Sequence, residues 1–199
     1  MTKGSNLLRR RAVVGELLRD RGDLLCIAGL GASAWDVTAA GDHPRTMPLW
    51  GGMGGAAMIG LGLALAQPKE RVTVITGDGE MLMGIGSLAT IAVQKPKNLS
   101  VIVLDNEHYG ETGMQETHTR FGVDLVGMAK AAGFPDTRLV QTTDEVKKLR
   151  DAVHNGEGPL FAVVKIDPEK LPLVLPPSEG AHLKNRMREA ILGAEAHLA

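Results

Sequence analysis

Apolar residues along this chain fall into short unbroken runs separated by longer stretches of helical spacing. Leu7, Leu8, Val13, Val14, Leu17 and Leu18 recur every three to four positions and predict an amphipathic helix over Asn6–Arg21. Leu24–Ala28 is a continuous apolar run, predicting a buried strand that Gly29-Leu30-Gly31 closes. A helix over Ser33–Ala39 and a short strand over Thr46–Leu49 follow. Gly54–Gln67 reads as a helix of small residues ended by Pro68, and Val72–Thr76 as a strand closed by Gly77-Asp78-Gly79. Met83–Gln94 predicts a helix stopped before Pro96, and Leu99–Leu104 a strand running into Asp105-Asn106. Further helices are expected over Leu125–Ala132 and Asp144–Asn155, with strands over Leu139–Thr142 and Leu160–Ile166. A proline-rich stretch, Pro168–Pro177, leads to a last charged helix over Ser178–His197.

Strands alternating with helices predict a three-layer α/β/α fold: a mostly parallel sheet of about six strands with helices on both faces. Runs such as Val101-Ile-Val-Leu104 suit strands covered on both sides. At 199 residues the chain fits one domain over 1–199, its C-terminal segment (about 168–197) being an appendage. In such sheets ligands bind beyond the C-terminal strand ends. Two ends carry distinctive polar groups: Gly77-Asp78-Gly79-Glu80, and Asp105-Asn106-Glu107-His108-Tyr109-Gly110. One helix separates them, so a right-handed crossover between neighbouring strands would bring Asp78 and Asn106 together across 28 positions. A carboxylate and an amide oxygen suit a hard divalent cation that completes its shell with phosphate oxygens and water. Gly77 and Gly79 leave the backbone bare for a phosphate.

Composition narrows the reading. With 22 basic and 23 acidic residues the net charge is −1, which gives no electrostatic footprint for nucleic acid or an anionic membrane surface. One cysteine excludes a disulfide framework and a cysteine-ligated cluster within the chain, and Cys26 on a buried strand is expected to be inert packing. The N-terminus has no apolar signal core and no apolar run is long enough to span a bilayer, so a cytoplasmic protein is expected. Twelve of the 25 glycines lie between Gly51 and Gly113, which concentrates bare backbone around the two strand ends.

Gly77-Asp78-Gly79 followed after a strand by Asn106 resembles the cofactor-binding motif of thiamine diphosphate enzymes. These usually carry Asn-Asn where this chain has Asp105-Asn106. The resemblance implies thiamine diphosphate and Mg²⁺ as cofactors, with the metal held by Asp78, Asn106 and the main-chain carbonyl of His108. Gly77, Gly79, the backbone of Glu80, Tyr109 and Gly110 would complete the diphosphate site. Gly51-Gly52-Met53-Gly54-Gly55 resembles the loop beneath the cofactor's pyrimidine ring. There Met53 would bend the cofactor and the Gly51 carbonyl would accept a hydrogen bond from its amino group, while Gly52 lies alongside. The chemistry of decarboxylation belongs to the cofactor and its orientation to the protein.

Met53–Thr119 resembles more narrowly the small subunit of sulfopyruvate decarboxylase and the C-terminal half of phosphonopyruvate decarboxylase. The likeness rests on Ile59-Gly-Leu-Gly-Leu-Ala64, Gly86-Ser-Leu-Ala-Thr-Ile91, Tyr109-Gly-Glu-Thr-Gly113 and Thr117-His-Thr119, and the tail Val174-Leu-Pro-Pro177 resembles that subunit's end. It implies a lyase subunit acting on 3-sulfopyruvate, with phosphonopyruvate or another small 2-oxo acid, or carboligation, as alternatives. The family's catalytic glutamate lies on a pyrimidine-binding domain for which this chain has no room. A partner chain, the alpha-type subunit of a hetero-oligomer, is expected to supply it. His118 would line the mouth as a catalytic or orienting group, or be an ordinary loop histidine, and Arg120 would meet a substrate anion or solvent. The helix over Gly54–Ala66 would use its small residues against the sheet or against another subunit, the latter being favoured. Gly29-Leu-Gly31-Ala-Ser fits a relaxed dinucleotide fingerprint but lacks the acid about 20 residues on. The reading from another class is a non-catalytic, cofactor-binding regulatory module.

Overall fold

The computed structural model describes residues 7–197. Six strands form one parallel sheet: β1 (Leu25–Ala28), β2 (Thr46–Pro48), β3 (Val72–Gly77), β4 (Leu99–Asp105), β7 (Asp136–Val140) and β8 (Leu160–Lys165), in the order β2-β1-β3-β4-β8-β7. Helices α3 (Ala56–Ala66), α5 (Ser87–Gln94) and α6 (Leu125–Ala132) cover one face. On the other face lie α1 (Arg10–Leu18), α2 (Ala32–Ala39) and α7 (Thr143–Asn155). This is the expected three-layer arrangement. Every residue of β4 is buried, as a central strand covered on both faces requires. Among the described residues, no helix is long and apolar enough to cross a membrane.

Several boundaries differ from the pattern-based expectation, each for a local reason. Asn6 lies outside the described residues, and α1 starts only at Arg10 because Leu8 is extended, bridging Ile166 beside β8. The helix expected over Met83–Gln94 is two helices: α4 (Asp78–Met83) begins directly after β3, and Gly84-Ile85-Gly86 breaks the chain before α5. β7 lies earlier than Leu139–Thr142. It is an edge strand whose Asp136 and Arg138 pair with each other at 2.6 Å, and that polar face hid it from a search for apolar runs. Thr142 belongs instead to the capping box of α7, with Glu145. The last helix, α8, spans Gly180–Leu192, and Gly193 at φ +56° turns it into a short 3₁₀ segment.

Four of the small residues of α3 serve the sheet, while Gly62 and Ala66 are exposed. Ala56, Ala57, Gly60 and Ala64 are buried, and a Cβ on Gly60 would stand 2.2 Å from a Val74 methyl. The opposite face of α3 leaves Met58, Ile59 and Leu65 exposed. After β8 the chain passes along the C-terminal strand ends, where Pro172 accepts from Arg11, and the Trp50 indole N–H then donates to the Pro177 carbonyl at 2.9 Å.

Candidate active site

Strand order reverses beside β1, because β2 lies on one side of it and β3 on the other. The crevice of a doubly wound sheet opens at such a reversal. A cavity of about 460 Å³ lies there. Gly77, Asp78, Gly79, Glu80, Asn106, His108, Tyr109, Gly110 and Met53 all line it, so one cavity gathers most of the residues singled out in the sequence. Gly51 and Gly52 do not line it and are exposed at the base of the Met53 turn. His118 is exposed on the 3₁₀ turn His118–Phe121, outside the cavity.

The adjacency of Asp78 and Asn106 follows from sheet register. β3 and β4 are parallel neighbours with Gly77 opposite Leu104, so their polar successors leave the sheet side by side. Asp78 opens α4 and is 1 % exposed. Its Oδ2 accepts from the Thr117 hydroxyl in a short hydrogen bond, and Thr119 Oγ1 lies 3.2 Å away. Thr119 Oγ1 is nearer to Asp105 Oδ1, at 2.8 Å. Each threonine has one proton, so the consistent assignment is Thr117 to Asp78 and Thr119 to Asp105. Burial pushes the Asp78 carboxyl up from 3.8 to about 6; the Thr117 hydrogen bond pulls against this and the Asp105 charge adds to it. A neighbouring cation would bring such a carboxyl back down.

Asn106 closes an Asx turn: its Oδ1 accepts from the His108 N–H at 2.9 Å, and its carbonyl lies 2.8 Å from His108 Nδ1. A two-stranded hairpin, β5 (His108–Tyr109) with β6 (Gln115–Glu116), carries the chain over the cavity and back to Thr117. The Tyr109 ring lies on Gly79, where a Cβ would come within 2.3 Å of Cε1. Glu80 turns its carboxylate inward, toward the end of β3 and the turn after β1. Oε2 accepts from the Leu30 N–H at 3.0 Å and from Thr76 Oγ1 at 2.7 Å, while Oε1 has no hydrogen-bond partner among the described residues. This ties the end of β3 to the turn after β1, and a Cβ at Gly29 would meet Glu80 Oε2 at 2.0 Å, so a side chain there would displace the carboxylate from these partners.

Met53 stands at the tip of a turn made by Gly52 (φ +75°) and Gly54 (φ +90°), and is 41 % exposed. The turn rests on the residue that ends α4: a Cβ on Gly84 would lie 2.1 Å from the Gly54 carbonyl oxygen. The fingerprint-like Gly31 and Ser33 also line the cavity, at the start of α2.

Beneath Asn106 the structure places a charge cluster that the sequence reading missed. Lys165 ends β8 directly opposite Asp105 in the register, and its ammonium donates to Asp105 Oδ2 at 2.9 Å and Glu107 Oε1 at 2.5 Å. The Lys165 hydrogen bond holds the Glu107 carboxyl below the usual range. Arg120 is occupied by Glu107 and Glu116, each at 3.3 Å. Cys26 is buried, and its thiol is pushed up to about 11 by burial, which keeps it unreactive.

The donor set of a buried carboxylate and a neighbouring amide, with glycine backbone alongside, fits a magnesium-bound diphosphate. Comparison with known proteins bears on the cofactor but not on the metal. The family described as thiamine pyrophosphate enzyme, C-terminal TPP binding domain, matches residues 29–164. Sulfopyruvate decarboxylase subunit beta of Methanocaldococcus jannaschii is 34 % identical over 187 residues, covering 92 % of this chain and 97 % of that one. Phosphonopyruvate decarboxylase of Streptomyces viridochromogenes is 36 % identical over 152 residues, 75 % of this chain but 37 % of the longer relative. Among solved structures, benzoylformate decarboxylase from Polynucleobacter necessarius superposes with a TM-score of 0.68 at 24 % identity, over 87 % of this chain and 36 % of that one, a likeness of fold.

Proposed function

Because this chain belongs to the thiamine pyrophosphate enzymes, through their C-terminal cofactor-binding domain, we propose that it is the diphosphate-binding subunit of a 2-oxo acid decarboxylase completed by a second chain. Its substrate is 3-sulfopyruvate, converted to sulfoacetaldehyde and CO₂; phosphonopyruvate is the alternative that the second relative suggests. The observation that carries the reading is the meeting of Asp78 and Asn106 at adjacent strand ends on one cavity.

Asp78, Asn106 and the His108 carbonyl would hold Mg²⁺, and the backbone at Gly77, Gly79, Tyr109 and Gly110 would hold the diphosphate. The bound cofactor would supply the electron sink for loss of CO₂. Met53 would set its bend, with Gly51 and Gly52 shaping the turn on the side toward the partner. His118, exposed outside the cavity, would act at the mouth, facing the partner. Exposed Trp50, Met58, Ile59 and Leu65 around that turn and on α3 support a subunit contact on this side. The partner would be a pyrimidine-domain subunit bringing the catalytic glutamate.

The test is reconstitution. The chain alone should release no CO₂ from 3-sulfopyruvate. The chain copurified with its pyrimidine-domain partner should do so in the presence of thiamine diphosphate and Mg²⁺, and Asp78→Ala should abolish it. Turnover by the isolated chain, or full activity of the Asp78→Ala pair, would overturn the proposal. A pair that binds cofactor and never turns over any 2-oxo acid would favour a regulatory module.

A further inference from the structure

Asn106 stands between two acids, Asp105 and Glu107, that one cation grips from the neighbouring strand. Asp105 is 3 % exposed, and a carboxylate so deeply placed is costly unless paired. Its two oxygens are fully engaged: Oδ1 accepts from the Glu107 N–H at 3.0 Å and from Thr119 at 2.8 Å, and Oδ2 from Lys165 at 2.9 Å. Glu107 has φ +62°, a conformation that favours glycine, and four contacts hold it there. They are its N–H on Asp105, its carbonyl accepting from Thr117 N–H at 2.8 Å, and its carboxylate on Lys165 at 2.5 Å and, more weakly, on the exposed Arg120 at 3.3 Å. The residue that leaves this grip is His108, whose N–H is the donor to Asn106 Oδ1.

We propose that Lys165 is a positioning residue for the metal site. By holding Asp105 and Glu107 together, it fixes the backbone on both sides of Asn106, and through Asp105 and Thr119 it fixes the hydroxyl pair against Asp78. The inference rests on the reading of Asp78 and Asn106 as metal ligands. A cation is required because Asp105 stands where the resembling family has a neutral asparagine. The acid brings a charge that an asparagine would not, and β8 supplies its counter-charge at the register position directly opposite. Lys165 touches neither metal nor cofactor in this scheme, and its effect is on where the ligands stand.

Two measurements on the full chain and on the copurified pair test this. The first is hydrogen–deuterium exchange without metal or cofactor. Lys165→Gln should speed exchange of the Glu107, His108 and Thr117 amides at least tenfold, while the β3 and β4 amides stay protected. The second is Mg²⁺ titration in the presence of thiamine diphosphate, read by calorimetry, in which Lys165→Gln should weaken Mg²⁺ at least tenfold. Lys165→Arg should restore both within threefold, because its guanidinium can span the two carboxylates. The double variant Asp105→Asn/Lys165→Gln should recover most of the affinity that the single variant loses. If Lys165→Gln fails to fold, the comparison of wild type, Lys165→Arg and the double variant carries the test: a double variant that folds yet binds Mg²⁺ tenfold more weakly overturns the proposal. A Lys165→Gln chain whose exchange or Mg²⁺ affinity stays within twofold of wild type also overturns it. If wild type binds no Mg²⁺ at all, the metal-site reading fails, and the exchange experiment then judges the positioning by itself.

Discussion

Asp78 offers the sharpest quantitative test, because the properties that suit it to a metal should burden the metal-free fold. Its carboxyl is raised from 3.8 to about 6, chiefly by burial. For an acid raised in this way, the folded chain holds the proton more tightly than the unfolded one. The associated stability is intact below 3.8 and is lost as pH rises through about 6. At about 1.4 kcal/mol for each tenfold change, the full cost of ionising Asp78 in the fold is about 3 kcal/mol. Asp78→Asn keeps an oxygen to accept from Thr117 and removes the charge. In EDTA the variant should exceed wild type by about 0.5 kcal/mol at pH 4 and by about 3 kcal/mol at pH 8. Urea denaturation at the two pH values reads this difference directly, and effects common to both proteins cancel. Mg²⁺ and thiamine diphosphate at about 1,000 times their dissociation constant contribute about 4 kcal/mol to wild type alone, which should reverse the order at pH 8. A variant no more stable than wild type at pH 8, or a difference that does not change with pH, would refute the argument that the buried charge is uncompensated.

Other expectations follow from the same geometry. Mg²⁺ affinity of the wild-type chain should fall about tenfold per pH unit below pH 6 as Asp78 takes up its proton, measured by calorimetry with thiamine diphosphate present. Thr117→Val removes the hydrogen bond that lowers the Asp78 carboxyl, so the midpoint of that pH dependence should move upward, with Thr117→Ser restoring it. Gly84→Ala forces a Cβ toward the Gly54 carbonyl, backbone against backbone. It should destabilise the chain by about 1–3 kcal/mol in urea and weaken thiamine diphosphate binding through the displaced Met53 turn. Arg120→Ala should leave the KM for the oxo acid unchanged in the reconstituted pair, since its guanidinium lies on Glu107 and Glu116 outside the cavity.

The parts of the molecule that could be read from sequence are those where local pattern and final environment coincide. β3 and β4 are apolar runs because both their faces are covered, and their polar successors announced the site. The Gly77-Asp78-Gly79 segment was legible as chemistry but not as structure: it opens a helix, where a closing turn was expected. β7 was displaced because an edge strand can carry Asp136 and Arg138 without apolar alternation. The hairpin of β5 and β6 is too short and too polar to leave a periodic trace. Lys165 could not have been found by pattern at all. Its meaning depends on β8, the last strand of the sheet in chain order, inserting between β4 and β7. The one available hint was local: an acid in place of the family's asparagine at Asp105 needs a cation from somewhere.

The six residues of α4 rise about 7.5 Å from Asp78 at one end to Met83 at the other. Gly84, next in line, bears on the turn that presents Met53. One short rod therefore touches both the point where a metal would be gripped and the point where a ring would be propped, and its length sets the reach between them. Lengthening it by a single residue would carry the far contact about 1.5 Å onward and about 100° around the axis. Two functions far apart in the chain thus share one mechanical tolerance, which gives α4 less freedom to change in length than any loop around it.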